Sequence, residues 1–501
     1  MIRKLLIANR GEIAVRVIRA SHELGISAVA VYSTADRDSL HVQLADEAIC
    51  IGEPPPSESY LNIDKLVNTA KDVGADAVHP GYGFLAENPD FAKRCEETGL
   101  TFVGPSSATL RLVGDKVESR KTMLKAGIPV IPGMYTKAQS IRQSVAEAKK
   151  LGFPVLVKAS LGGGGKGMRI VEHENELEKA VLSGRREAKS AFGDESVYIE
   201  KYVARPRHIE FQVLADKYGN LIHLFERECS IQRRHQKLVE ETPSPALNSE
   251  LRQRIGELAV TAAKTVRYTN AGTIEFLYEK GNFYFLEVNA RIQVEHPITE
   301  LTTGVDLVKQ QLLIASGQPL SLSQESVSQR GHAIECRIYA EDPGNGFLPS
   351  PGRILFMQEP SGPGIRMDSG VYSGFDVTTF YDPILSKLVV WGEDRETARR
   401  KAASALSDYV ILGIKTTVDF LLHLVEHPDF ATGKTYTDFI QRNMADWSET
   451  GAKEHLDLVM IAAAIDSYKK SSIPIRRAYT RDESSSPWST LGRWRVGMRK
   501  S

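Results

Sequence analysis

Two glutamates, Glu275 and Glu287, lie in a stretch that reads as a pair of strands: GTIEFLYEKGNFYFLEVNARIQVEHP, from Gly272 to Pro297. It is rich in aromatic and β-branched residues and is broken by Glu279-Lys280-Gly281-Asn282. In the second strand Phe283, Phe285, Glu287, Asn289, Arg291, Gln293 and Glu295 share one parity and so one face. Tyr284, Leu286, Val288, Ala290, Ile292 and Val294 form the other, apolar face, which should meet the core. With Lys280-Gly281-Asn282 as a three-residue loop, Glu279 pairs with Phe283 and Glu275 falls opposite Glu287. Like charges directly opposed destabilise a sheet unless something lies between them. A hard divalent cation held by Glu275, Glu287 and the carbonyl oxygen of Asn289 would relieve the conflict, and Mg²⁺ favours such a site. A two-residue Gly281-Asn282 turn would shift the pairing by one. An edge hairpin with a solvated acidic face is the plain structural alternative.

Other chemistry is spread along the chain. FPVLVKAS reads as a strand bearing Lys158, and LGGGGKGM follows at once. Gly162, Gly164 and Gly167 match G-x-G-x-x-G, but MRIVEHE after them is strand-like, so the dinucleotide context fails. Lys166 is followed by glycine, which excludes a Walker loop. A glycine-rich hairpin that lays backbone N–H groups over phosphates remains, against a merely flexible surface hairpin. YIEKYV suits a hinge segment lining an adenine pocket. In HIEFQVL, His208, Glu210 and Gln212 share one face while Ile209, Phe211 and Val213 turn to the core. ERECSIQRRHQK (Glu226 to Lys237) crowds charges without a helical apolar stripe and reads as a loop presenting cations to an anion. HPGYGFLAEN (His79 to Asn88) is a glycine-punctuated loop that could be functional or a plain connection. GHAIECRIYAED is a strand carrying Glu335 and Arg337 on one parity.

The elements that must position these residues are α/β throughout. The 501 residues suggest about three domains. KLLIAN, a helix from about Gly11 to Leu24 and SAVAVYS form a βαβ unit, and ADAVHP and LTFVG continue an open parallel sheet. Asp36 stands where a ribose-binding acid could, but Asn9-Arg10-Gly11-Glu12 lacks the dinucleotide glycines, which leaves a nicotinamide enzyme a weak alternative. Lys116 opens a helix ending near Gly127, and Pro129, Pro132 and Gly133 mark a linker. TTGVDLVKQQLLIASG reads as one amphipathic helix. Lys+Arg and Asp+Glu both number 63, so there is no basic field for nucleic acid or a membrane surface. No apolar run approaches a membrane span, and the N-terminus is too soon interrupted by charge for a signal peptide. Cys50, Cys95, Cys229 and Cys336 are scattered, which fits reduced thiols in a cytoplasmic protein.

At HPGYGFLAEN, KASLGGGGKGM, EKYV with RHIEFQV, ECSIQRRHQK and EVNARIQVEHPITE the chain resembles biotin carboxylases of the ATP-grasp superfamily, in order from Ile2 to about Met444. The resemblance implies a Rossmann-like N-terminal domain (1–113), an ATP-grasp domain (114–330) with a mobile lid at about 131–203, a C-terminal mixed α/β domain (331–445) and a tail (446–501). It implies ATP-dependent carboxylation of protein-linked biotin by bicarbonate through carboxyphosphate, with Mg²⁺ or Mn²⁺. Lys116, Lys158, Gly164, Gly165, Glu200, Lys201, Tyr202, Val203, His208 and His235 match nucleotide-binding positions, and Glu275, Glu287 and Asn289 match metal ligands. Lys237, Arg291, Gln293 and Val294 fall on the bicarbonate site, Glu295 on the general base, and Arg337 on the holder of biotin's ureido oxygen. These roles suit the residue types: a carboxylate can deprotonate bicarbonate, and a permanently charged guanidinium can stabilise an enolate.

No Met-Lys pair for biotin attachment occurs in the chain, so the biotin is expected on a separate carrier and carboxyltransferase subunit, with this chain forming a homodimer. The tail holds one apolar helical run, LDLVMIAAAIDSY, and a polar end with Trp488 and Trp494. It resembles those of biotin carboxylase subunits in two-subunit pyruvate carboxylases, which implies pyruvate as acceptor and docking of the partner by the tail. An acetyl-CoA carboxylase subunit is the alternative, and another ATP-grasp carboxylate–amine ligase a remote one. A nucleotide-sensing module without activity is opposed by the intact set Lys116, Lys237, Glu275, Glu287 and Arg337.

Overall fold

The computed structural model describes residues 1–134, 141–159, 168–448 and 456–471. Within 1–448 the chain opens with a parallel sheet of strands β1 (Lys4–Ile7), β2 (Ser27–Ser33), β3 (Glu47–Gly52), β4 (Ala77–His79) and β5 (Thr101–Phe102), ordered β3-β2-β1-β4-β5. Leu5, Leu6 and Ile7 are fully buried, as expected of a strand covered on both faces. The helix Gly11–Glu23 follows β1 as anticipated. Asp36 is not open to a ribose: it accepts Nε and Nη2 of Arg10, both at 2.7 Å, and the Tyr60 hydroxyl at 2.6 Å.

Strands β6 (Val155–Ala159), β7 (Arg169–Val171) and β8 (Val197–Lys201) form a small antiparallel sheet with β6 central. Lys158 lies on β6 and Glu200 on β8. The glycine hairpin, with Gly162, Gly164, Gly165, Lys166 and Gly167, lies outside the described residues, as do Trp488 and Trp494 of the tail.

An eight-stranded antiparallel sheet carries most of the remaining strands. It contains β9 (Arg207–Ala215), β10 (Leu221–Arg233), β11 (Gln236–Thr242), β12 (Asn270–Glu279), β13 (Asn282–Asn289) and β14 (His332–Tyr339). The order is β13-β12-β9-β10-β11-β14, followed by Ile384–Gly392 and Ile365–Ser369. On β9, Ile209, Phe211 and Val213 enter the hydrophobic core, which leaves His208, Glu210 and Gln212 on the other face.

Three local expectations need correction. ERECSIQRRHQK is no loop: Glu226 to Arg233 belongs to β10, and Gln236 and Lys237 begin β11. Arg234 and His235 make the two-residue turn between them, with φ of 48° and 69°. A charge-dense segment can be a buried strand when its charges pair across neighbouring strands. TTGVDLVKQQLLIASG is not one helix either. Gly304, with φ of 73°, closes the helix His296–Thr303, and Asp306 caps a second one, Leu307–Ala315.

The third correction concerns the hairpin. Its turn is Lys280-Gly281, with φ of 49° and 87°, and Glu279 pairs with Asn282. That register alone would miss the Glu275–Glu287 pairing. A bulge restores it: Phe276 faces Phe285, but Glu275 faces Glu287, with Leu286 as the extra residue. The bulge also reverses the parity of burial. Phe283 and Phe285 enter the core before it, and Val288 and Ala290 after it. The expected assignment of faces therefore holds only beyond Leu286.

The residues from 449 onward form a separate unit, in which the helix Leu456–Ser471 is described. Leu458, Val459, Met460, Ile461 and Ile465 on it are exposed. No described helix is long and apolar enough to cross a membrane. All four cysteines are unpaired, and Cys95, Cys229 and Cys336 are buried.

Candidate active site

The site begins with three glutamates aligned across three strands. Glu275 on β12 is opposite Glu210 on β9 and Glu287 on β13. Such a row is unstable alone, and cations from other elements offset it. Lys237, at the start of β11, brings Nζ to 2.6 Å from Glu210, 3.0 Å from Glu275 and 2.7 Å from Glu295. His208 Nε2 stands 3.0 Å from the other Glu275 oxygen, and Lys116 Nζ lies 2.9 Å from Glu287. Lys116 is presented by the first turn of the helix Lys116–Lys125, whose cap is Asp115.

These pairings fix the charges. Burial opposes ionisation of Glu275, but Lys237 and His208 hold its carboxyl well below the usual carboxylate range. Burial likewise opposes Glu287, and Lys116 lowers it while Glu275 pushes back. Glu295 follows the same pattern, with burial outweighed by Lys237, Arg337 and Arg227. All three are anionic at neutral pH. Burial works against a charge on His208, and Glu275 reverses that, raising its pKa.

Glu295 is the bridge to Arg337. The guanidinium on β14 donates Nη2 to Glu295 at 2.9 Å and Nε to Glu240 at 2.6 Å. Gln293 donates to Glu275 at 3.1 Å and accepts Arg227 Nη2 at 2.6 Å. Arg291 donates Nη2 to Asn289 Oδ1 at 3.1 Å and Nε to Glu87 at 3.0 Å. The Val294 carbonyl accepts Lys387 Nζ at 3.0 Å. The anticipated residues Lys237, Glu275, Gln293, Glu295 and Arg337 thus form one continuous polar cluster, and Lys116, Glu287, Asn289 and Arg291 border it.

A second cluster pairs Glu200 with two cations, Lys158 Nζ at 2.5 Å and the Arg120 guanidinium. Lys201 turns elsewhere, donating to the carbonyls of Gly152 and Phe153 at 2.8 and 3.2 Å. Tyr202 and Val203 are half-buried, and His235 is exposed at the tip of the β10–β11 turn. Sequence reasoning missed Arg227, Arg120, Glu240 and Glu87 as partners that hold these residues in place, and left Glu210 without a role. Glu210 was detectable, since it shares its face with His208 and Gln212. The others are brought in by strand neighbours far away in the chain.

The donor set suits a hard cation beside Glu275 and Glu287: both are ionised, and opposite each other in register. Asn289, beside them on β13, has its side-chain oxygen engaged by Arg291. Lys237 and Arg291 contribute cationic donors and Glu295 an ionised carboxylate, a combination of charges that suits a small anion and a base.

The sequence matches three family models: the N-terminal domain of biotin carboxylase over residues 1–110, the ATP-binding domain of the carbamoyl-phosphate synthase L chain over 115–323, and the C-terminal domain of biotin carboxylase over 335–442. It is 54% identical over 440 residues to a pyruvate carboxylase subunit of Methanothermobacter thermautotrophicus, covering 88% of this chain and 90% of that one. It is 48% identical over 497 residues to the alpha subunit of the mitochondrial methylcrotonoyl-CoA carboxylase of Dictyostelium discoideum, covering 99% of this chain and 70% of that one. Among solved structures, the biotin carboxylase domain dimer of Hydrogenobacter thermophilus 2-oxoglutarate carboxylase, in complex with MgADP, ADP and bicarbonate, superposes with a TM-score of 0.88 at 49% identity. The match covers 90% of this chain and 100% of that one.

Proposed function

The chain belongs to the biotin carboxylase family, and from that premise we propose that it uses ATP and bicarbonate to carboxylate a biotin carried on a separate polypeptide. The observation that carries this reading is the single ammonium of Lys237, which touches Glu210, Glu275 and Glu295 together. It joins the acidic row that suits a metal to the carboxylate that suits a base.

ATP is read as bound by Lys116, Lys158, Gly164, Gly165, Glu200 to Val203, His208 and His235. Glu275, Glu287 and Asn289 would hold Mg²⁺ or Mn²⁺, which when bound neutralises phosphate charge. Bicarbonate enters between Arg291, Gln293, Val294 and Lys237. The cations there favour its deprotonated form, which allows a strongly ionised Glu295 to take the proton. The freed oxygen then attacks the γ-phosphorus, giving carboxyphosphate and ADP. Arg337 holds the ureido oxygen of biotin as carboxyphosphate releases its phosphate, which takes the N1 proton, and N1 forms the new bond to the carboxyl carbon. The domain limits 1–113, 114–330 and 331–445, the lid at about 131–203, a homodimer and a cytoplasmic location belong to the same reading.

For the final acceptor, the likeness to the Methanothermobacter pyruvate carboxylase supports pyruvate. One observation favours an acyl-CoA instead. The match to the methylcrotonoyl-CoA carboxylase runs over 99% of this chain and so into the tail, while the match to the pyruvate carboxylase covers 88%. Purification with the biotin-bearing partner, followed by a choice of pyruvate or an acyl-CoA as acceptor, decides between them.

The first test is what ADP release requires. The reading expects ATP cleavage that needs bicarbonate, and carboxylation of free biotin that needs both. Cleavage that needs an amine and ignores bicarbonate would replace it with a carboxylate–amine ligase.

A further inference from the structure

The loop from His79 to Asn88 has no part in the chemistry above, yet it reaches the segment Asn289–Glu295 at both ends. At one end Glu87 accepts the Ala290 N–H on Oε1 at 3.0 Å and Arg291 Nε on Oε2, also at 3.0 Å. With Nη2 on Asn289 Oδ1, the guanidinium is held from two sides. At the other end the fully buried Lys387 donates to the Val294 carbonyl at 3.0 Å and pairs with Glu12 at 2.9 Å. Glu12 in turn accepts the hydroxyl of Tyr82 from the loop. The peptide whose oxygen Lys387 holds is the one that leads into Glu295.

The loop itself is firmly seated. Asn9 Nδ2 donates to the carbonyls of Pro80 and Tyr82, both at 2.7 Å, and the Gly81 N–H donates to His79 Nδ1 at 3.0 Å. Gly81 has φ of 63°, and a Cβ there would come within 2.7 Å of Asn9 Nδ2. Glycine is therefore needed for both conformation and space.

We propose that this loop is a positioning brace. Glu87 sets Arg291, and Tyr82, through Glu12 and Lys387, sets the backbone of Glu295, at the spacing that bicarbonate requires. It rests on the reading that Arg291 and Glu295 receive bicarbonate. Glu87, Tyr82, Glu12 and Lys387 are positioning residues, since none is assigned contact with the reacting atoms. Glu87 is also suited to a clean test: its side chain is 43% exposed, and exposed ion pairs add little to stability.

The test uses full-length Glu87→Ala, Glu87→Gln and Tyr82→Phe, with ATP cleavage followed in the absence of biotin. Misplacement of a substrate-positioning group is costly, so Glu87→Ala should raise the KM for bicarbonate roughly tenfold or more. Its KM for ATP should stay unchanged, and its melting temperature should fall by no more than about 3 °C, because the Ala290 N–H loses its acceptor. Glu87→Gln should recover part of the loss, because an amide oxygen still accepts the Ala290 N–H. Tyr82→Phe should lower kcat more than it raises the KM for bicarbonate. A bicarbonate KM unchanged in folded Glu87→Ala, or an equal rise in the KM for ATP, overturns the Glu87 end, and a wild-type kcat in Tyr82→Phe overturns the other. Amide hydrogen exchange at Ala290, measured without substrates, should accelerate in Glu87→Ala, and unchanged exchange also overturns the brace. That measurement decides even if ATP cleavage by the unaltered protein proves indifferent to bicarbonate, the outcome that would remove the functional reading instead.

Discussion

Arg227 and Lys237 stand on neighbouring strands and share Glu210, but they are built for different purposes. Arg227 is fully buried, and all its donors are used. Nε meets Glu210 at 2.6 Å, Nη1 meets Gln212 and Thr299 at 2.7 and 3.0 Å, and Nη2 meets Gln293 and Thr273 at 2.6 and 3.0 Å. Lys237 faces three carboxylates with one charge, and its side chain keeps 11% exposure. A saturated guanidinium with one carboxylate and neutral partners has nothing left to offer a ligand. An ammonium outnumbered by carboxylates, at the edge of water, leaves a charge imbalance that a metal or an arriving substrate can change. The first is built as scaffold, and the second suits the proposed site.

Substitution can break that comparison. Arg227→Leu should have the largest effect, because it strands Glu210 in the interior together with the oxygens of Gln212 and Gln293. Loss of one partner of a buried pair costs about 3–5 kcal/mol. The expected outcome is a melting temperature lower by roughly 3–5 °C, or failure to accumulate folded protein. A variant that melts like the parent would show that the guanidinium is not structural.

Lys237→Met should have the opposite profile. Removal of a preorganised charge at a reaction centre costs about 10²–10³-fold in rate, so bicarbonate-dependent ATP cleavage should fall by that order. The fold should survive, because water at the opening and proton uptake by Glu275 or Glu295 can absorb the lost charge. Near-normal cleavage, or a stability loss matching that of Arg227→Leu, would erase the distinction.

How much of this was legible in the sequence follows from the range of each interaction. The βαβ entry, the helix Gly11–Glu23 and the alternation in His208, Glu210 and Gln212 depend on near neighbours, so they could be read directly. The Glu275–Glu287 pairing was reached through a wrong loop. The shorter Lys280-Gly281 turn and the bulge at Leu286 displace the register by one residue each, and the two displacements cancel. A bulge has no strong local signature, which is why the faces of Phe283 and Phe285 were inverted. ERECSIQRRHQK misled because its charges are neutralised by residues such as Glu210 and Glu341, which only the sheet order brings near. Glu87 escaped notice for the same reason, being 204 positions from Arg291.

The smallest effect concerns the far side of Arg337, where Glu240 and Glu295 share one guanidinium but are shifted in opposite directions. Glu295 lies well below the usual carboxylate range, whereas burial pushes Glu240 up to about 7 against the pull of Arg337. Facing Glu240 are Arg337, Glu295 and Lys237, and Glu335 lies directly opposite on β14, buried, with neither oxygen hydrogen-bonded within the protein. An acid whose pKa is higher folded than unfolded binds more protons in the native state. Its contribution to stability is fully present below the unfolded value, about 4.3, and is lost as pH rises through the folded one. Gln at this position cannot titrate. The melting temperature of the parent should therefore decline relative to that of Glu240→Gln as pH rises from about 5 to about 8. Paired melts across that window check it: parallel curves would mean that Glu240 holds its ordinary charge, and a gap widening the other way would mean that Arg337 dominates both of its carboxylates.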